Sequence, residues 1–386
     1  MSFYFKLGAL PHKRHTQFRQ PDGSLYHEEL MGVRGFSGDK SLLYHLRPPT
    51  AVERIDRGCK VEIPYADSGP LRHRLLRTAQ LPRGGDAVQG RVPLMANQDV
   101  CISVARPEEP MRYWYRYAHG DEAIFIHEGR GVLESQFGNL PYGPGDYLVI
   151  PTGIIWRILP EERAAQRMLI VESSGGHIEP PKRYVNQYGQ FLESAPYAER
   201  DIRPPDELVT HDEAGEFEVR VKARGQIVPY IYSHHPLDVV GWDGHLWPFA
   251  FNIKDFEPIT GRVHQPPPVH QTFDGPGFVL CSFVPRLFDY HPLAIPAPYN
   301  HSNVDSDEVI YYVEGDFMSR KGIESASFTV HPNGIPHGPH PGTYEGSIGK
   351  ARTDELAVMV DTFRPLNLTT HALRFEDEDY PFSWVK

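Results

Sequence analysis

Along the chain, apolar and polar residues alternate in short runs, and glycine, proline, asparagine or aspartate breaks almost every one. A period of two bounded by turn formers predicts many short strands and an all-β fold. Two sets of these runs match each other. The first is HGDEAIFIHEGRG from His119, followed by LPYGPGDYLVIPTGIIWRI, and the second is HSNVDSDEVIYYVEGDF from His301, followed by SFTVHPNGIPHGP. In both, a histidine precedes a glutamate, the glutamate leads into an alternating strand that ends in Glu-Gly, and a second strand breaks at Pro-x-Gly. The glycine lies seven residues beyond the glutamate in each copy, Glu122 to Gly129 and Glu308 to Gly315. Such a match predicts one structural unit used twice.

Aligning the copies on their Pro-x-Gly turns sets Pro151 against Pro332 and Gly153 against Gly334. Ile150 then stands opposite His331, and Trp156 opposite His337. Strand residues alternate between the two faces of a sheet, so polar side chains turned inward need an ion, a ligand or one another. His301, Glu308 and His337 offer two imidazoles and a carboxylate, a set that leaves coordination positions open on non-haem Fe(II). Mn, Ni, Zn and Co accept the same ligands. With twenty histidines in the chain, no single one of these carries the argument; the shared spacing does. The first copy keeps His119 and Glu122 but has Trp156 in the third place, which predicts a structural role for that half. His331, across the Pro-Asn-Gly turn from His337, is expected near the same mouth, where an imidazole can exchange a hydrogen bond or proton with a substrate hydroxyl.

Composition narrows the function classes. The chain has 386 residues, 40% hydrophobic, enough for two or three packed domains. A formal charge of -11 without a basic run predicts no nucleic-acid partner. The absence of a long apolar segment predicts neither membrane contact nor a signal peptide. Three scattered cysteines, Cys59, Cys101 and Cys281, suggest a reducing cytoplasm rather than a disulfide framework. Small molecules are the expected ligands.

The His-to-Glu-to-Gly segments and GPGDYLVIPTG resemble the two conserved motifs of the cupin family, antiparallel barrels of jelly-roll type. The resemblance implies a bicupin: two double-stranded β-helix barrels with an N-terminal β extension. The expected division is residues 1–250, holding a degenerate barrel with its core at about 93–175 and a connecting segment, and residues 251–386, carrying the metal site. Residues before 90 are expected to extend a sheet and make subunit contacts, and Glu179 to about Val240 to cross between barrels.

Over most of its length the chain also resembles homogentisate 1,2-dioxygenase, through GSLYHEELMGVRGFSGDKSLLYHLRPP, YVNQYGQFLESAPYAERDIRPPDEL and HHPLDVVGWDGHLWPFAFNIKDFEPI in the family's order. That resemblance implies Fe(II), dioxygen, a hydroquinone-like aromatic substrate, and assembly into trimers or hexamers. It places the iron ligands at His301, Glu308 and His337, the substrate-hydroxyl histidine at His331, and the general base at His264, with His270 as the nearby alternative. Three features depart from the family. Six residues separate His301 from Glu308 where the family has five, which makes Asp307 a conceivable substitute ligand. Phe317 stands where the family has a substrate-contacting tyrosine, and Pro296 lies near the place of an expected arginine. These departures leave open another hydroquinone, such as gentisate, or a metal-dependent isomerase or lyase on the same ligands.

Overall fold

The structure is a computed structural model, and it describes residues 3–161, 165–315, 317, 320 and 322–385. Strands dominate, and the α-helices are single turns, Thr343–Ser347 and Thr370–Leu373. The all-β, two-barrel expectation holds.

The first repeat forms one wall of the N-terminal barrel. Its strands run in the order Ile202–Arg203, Phe249–Asn252, Asp146–Ile150, Glu122–Glu128, Arg167–Ser173, Val100–Ala105, Arg91–Ala96 and Asn367–Leu368. A second sheet packs against it, built on Gly131–Ser135, Ile155–Pro160, Trp114–Tyr117 and the long hairpin Ala214–Ala223 with Gln226–His234. Ile124, Leu133 and Trp156, from both walls, meet in one core without solvent contact.

The second repeat forms a sheet in the order Gln271–Gly275, Phe278–Phe283, Leu356–Thr362, Asp307–Glu314, Phe328–His331 and Arg74–Leu76. Opposite it lie a short ribbon, Arg286–Leu287 with Arg352–Thr353, and a bridge between His301 and His337. The two barrels share a core, because Tyr147 reaches across to Ser282 (2.9 Å) and Phe273 packs against Tyr147 and Phe251. This back-to-back packing explains why Arg167–Ser173 is buried along its whole length instead of alternating.

The register bears out the repeat. Glu122 pairs with Ile150 on one side and Glu172 on the other. Glu308 pairs with His331 and Asp361 in the same way. The glycines closing the two strands share a conformation, φ 104° at Gly129 and 101° at Gly315. A Cβ at Gly315 would also stand 2.2 Å from the Asp354 carbonyl oxygen, so the position requires glycine twice over.

Each barrel borrows a strand from the far end of the chain. Arg74–Leu76 pairs with Phe328–His331, and Asn367–Leu368 pairs with Arg91–Ala96. The segment before residue 90 therefore supplies part of the second barrel as well as the separate four-stranded sheet of Phe5–Gly8, Val239–Gly244, Lys40–His45 and His27–Gly32. Phe249–Asn252 belongs to the first sheet, so the chain passes into the second barrel only after it.

Candidate metal centre

Glu308 projects from the central strand of the second sheet, with His331 directly across from it on the next strand. His301 and His337 come from the loops flanking that sheet, and each donates its backbone N–H to the other's carbonyl at 2.9 Å. Two stiff, proline-bearing loops are thus tied together at the two residues whose rings must converge. Ligand-capable atoms of His301, Glu308 and His337 lie within 4.8 Å of one another. His301 Nε2 is 3.6 Å from Glu308 Oε2, and His337 Nε2 is 3.2 Å from Glu308 Oε1.

The donor set fits a metal ion. His337 is buried, yet neither ring nitrogen has a hydrogen-bond partner among the described residues. An orphaned imidazole beside a carboxylate is costly in a core unless a cation occupies the gap. Burial pushes the Glu308 carboxyl up, but the three imidazoles gathered around it, His301, His331 and His337, outweigh burial and hold the group well below the usual carboxylate range. His301 is shifted up by the Glu308 carboxylate beside it. The carboxylate is therefore in its ligating form near neutrality.

Strand alternation decides between the two adjacent acids. Asp307 faces away from the cluster and accepts the backbone N–H groups of Asn333 (2.8 Å) and Leu366 (2.7 Å). The extra residue between His301 and Glu308 is absorbed in the loop, and Asp307 is a structural bracket.

Beside the cluster lies a cavity of about 170 Å³, comparable with the ~150 Å³ apolar cavity that takes benzene in an engineered protein. His264, His270, Phe317, Arg320, Asp361 and Pro296 line it together with His301 and Glu308. Phe317 is buried edge-on against Tyr312, ring centroids 4.5 Å apart. His264 is 44% exposed, its Nδ1 3.3 Å from Asp289 and its ring against Tyr299. His270 is buried against Phe283, and burial lowers it to about 3, so it is a neutral imidazole in the wall.

His331 differs from its expected placement. It has no exposed surface and does not line the cavity. Its Nδ1 donates to Glu308 Oε1 at 2.7 Å, its ring stacks on His337 at 4.3 Å, and burial lowers it to about 3. The alternation that turns Glu308 inward places its cross-strand neighbour behind the carboxylate, where His331 orients Glu308 rather than facing the mouth.

Several residues of this region escaped the sequence reading. His73 arrives on the borrowed N-terminal segment, its ring 5.5 Å from His331 and 5.8 Å from His337, and its Nε2 donates to the Pro336 carbonyl at 3.0 Å. Tyr380 and Trp384 arrive from the C-terminus, Tyr380 with its hydroxyl 3.4 Å from His331 Nε2 and Trp384 against His73. These contacts are made by residues far away in sequence and carried no local signal. Asp361 did carry one, as the lone charge in the strand LAVMVDT.

In the first barrel a cation of the chain itself stands at the corresponding acids. Arg91 Nη1 stands 2.5 Å from Glu122 and 3.0 Å from Glu172, and Lys222 also pairs with Glu172. Trp156 fills the third position, and His119 points out to accept the Arg224 backbone N–H at 2.8 Å.

The fold and this cluster define a bicupin in which one barrel retains a candidate metal site. The family model described as homogentisate 1,2-dioxygenase N-terminal matches residues 7–253, and the chain belongs to that family. It is 41% identical to a protein of Saccharolobus solfataricus named "putative dioxygenase", covering 100% of this chain and 99% of that one. It is 26% identical to the homogentisate 1,2-dioxygenase of Bradyrhizobium diazoefficiens, covering 98% and 90%. Among solved structures, a cupin 2 conserved barrel domain protein from Leptotrichia buccalis aligns with 79% of this chain and all of its own at 11% identity and a TM-score of 0.35.

Proposed function

We propose that the protein is an Fe(II)-dependent dioxygenase that opens the ring of a hydroquinone-like aromatic, converting homogentisate to maleylacetoacetate in tyrosine and phenylalanine catabolism. The observation that carries this reading is the convergence of His301, Glu308 and the orphaned, buried His337 beside a ring-sized cavity. A ferrous ion held there would supply open coordination positions for an aromatic hydroxyl and dioxygen and a route for electrons between them.

The chain's own groups do the rest. Asp289 beside His264 Nδ1 favours the tautomer with its proton on that nitrogen, leaving Nε2 to accept the proton of a ring hydroxyl. His331 holds Glu308 Oε1, which keeps the carboxylate in one orientation. Phe283, Phe317 and Met359 line the cavity and exclude water from the reacting ring. The test is oxygen uptake by iron-loaded protein with homogentisate, gentisate and plain hydroquinone. One dioxygen consumed per homogentisate, with a ring-opened product, is expected, and no uptake with any of the three would refute the proposal.

Phe317 favours a second reading, a related hydroquinone such as gentisate, because it presents no hydroxyl to a homogentisate side chain. The same substrate panel separates the two. An isomerase or lyase would instead turn over without consuming oxygen.

A further inference from the structure

The first barrel shows what this fold does with two inward acids in register. Glu122 and Glu172 face each other across adjacent strands, and a single nitrogen of Arg91 contacts both. Their counterparts in the second barrel are Glu308 and Asp361, again register partners on adjacent strands. Asp361 lines the cavity with Glu308 and His301, and its Oδ1 is buried without a hydrogen-bond partner among the described residues. Two acids converging on one cation in the first repeat imply two acids converging on one cation in the second. Asp361 is a methylene shorter than Glu172, so its carboxylate stops short of the point that Glu308 reaches.

We infer that Asp361 is the second carboxylate of the metal centre, a positioning residue that accepts a hydrogen bond from a water or substrate hydroxyl held on the ion. The inference rests on the metal reading of His301, Glu308 and His337. It assigns Asp361 the place that Glu172 occupies towards Arg91, with a bridging O–H making up the missing length. Groups that hold a metal's ligands or bound water typically govern affinity by 10- to 100-fold (about) when removed.

The test uses metal-free full-length protein titrated with Co(II) alone, comparing wild type, Asp361→Asn and Asp361→Glu by affinity, visible absorption and thermal midpoint. Asp361→Asn should weaken Co(II) binding about 10-fold or more and shift the Co(II) bands, while Asp361→Glu keeps most of the affinity. The metal-free midpoint of Asp361→Asn should hold, since Asp361 Oδ1 has no hydrogen-bond partner among the described residues to lose, whereas a merely structural role would lower it. If Asp361→Asn does not fold, Asp361→Glu decides, because a longer carboxylate must alter the Co(II) spectrum. Wild-type Co(II) binding with an unchanged affinity and spectrum in the variant overturns the assignment of Asp361 alone. Failure of the wild type to bind Co(II) overturns the metal reading and this inference together.

Discussion

At the scale of single residues, the candidate centre depends on side chains with no alternative partner. His337 is the clearest, since its ring is buried and both nitrogens are orphaned. His337→Ala should remove iron and activity together: metal analysis should fall from about one iron per chain to near zero, with oxygen uptake lost, while the circular dichroism spectrum is kept. Phe317 tests specificity rather than chemistry. Phe317→Tyr restores a hydroxyl on the cavity wall, and a hydrogen bond to a charged group contributes about 1.5–3 kcal/mol. The variant should raise kcat/KM for homogentisate roughly 10-fold, since ~1.4 kcal/mol is a factor of ten. An unchanged value would mean that the substrate side chain points elsewhere. His301, Glu308 and His337 were legible in the sequence because ligand spacing is local and the repeat supplied a control. His73 was not, because it arrives on a borrowed segment, and the lone charge of LAVMVDT marked Asp361 without revealing that strand pairing sets it beside Glu308.

At the scale of elements, the pairing register carries most of the information. The repeat motif identified the strands Glu122–Glu128 and Asp307–Glu314, and the glycines after them, because a period of two and a left-handed closing residue both leave marks in sequence. It could not reveal that Arg91, on a strand outside the motif, pairs with both Glu122 and Glu172. That pairing predicts the cost of its loss. Arg91 is 7% exposed and neutralises Glu122 and Glu172, which are 1% and 4% exposed. Removing one member of a buried ionic cluster strands the others and typically costs about 3–5 kcal/mol. Arg91→Met should lower urea stability by that order, and adding Glu122→Gln should recover part of the loss. Equal stability of Arg91→Met and wild type would show that Lys222 suffices for both acids.

At the scale of the whole molecule, buried histidines set the pH response. Burial lowers His127 to about 4 and His270 to about 3, so the unfolded chain, with histidines near their ordinary 6.5, binds more protons between those values. Stability from these two is present above pH 6.5 and is lost as the pH falls towards 3–4. His45 runs the other way: burial alone would lower it, but Asp238 and Glu29 raise it to about 9. Its contribution is present below pH 6.5 and is lost as the pH rises through about 9. Thermal midpoints of metal-free protein should therefore peak near pH 6.5 and fall on both sides. Replacing His45 with glutamine should flatten the alkaline side selectively.

The exchange of strands between barrels makes a stronger demand. Leu368 pairs with Met95, and Thr369 hydrogen-bonds the Pro93 and Leu94 carbonyls at 2.7 and 2.9 Å, so the C-terminal segment closes the edge of the first barrel. A few residues later the same segment backs the candidate metal centre, where Tyr380 approaches His331 and Trp384 Nε1 donates to the Gly338 carbonyl at 3.1 Å. One stretch of chain therefore ties the structural barrel to the loop that carries His337. Ending the chain after Leu366 leaves His301, Glu308, His337 and Asp361 in place, yet it exposes Leu94 and Met95 and frees the back of His331. Such a protein should melt at a lower temperature and bind Fe(II) at least 10-fold more weakly, the loss expected when the support of a ligand is removed. Adding back residues 367–378 alone should recover most of the midpoint and little of the iron affinity, because the edge strand is restored without Tyr380 and Trp384. Recovery of both properties together would show that edge pairing alone sets the loop, and that the aromatic backing of His331 is incidental.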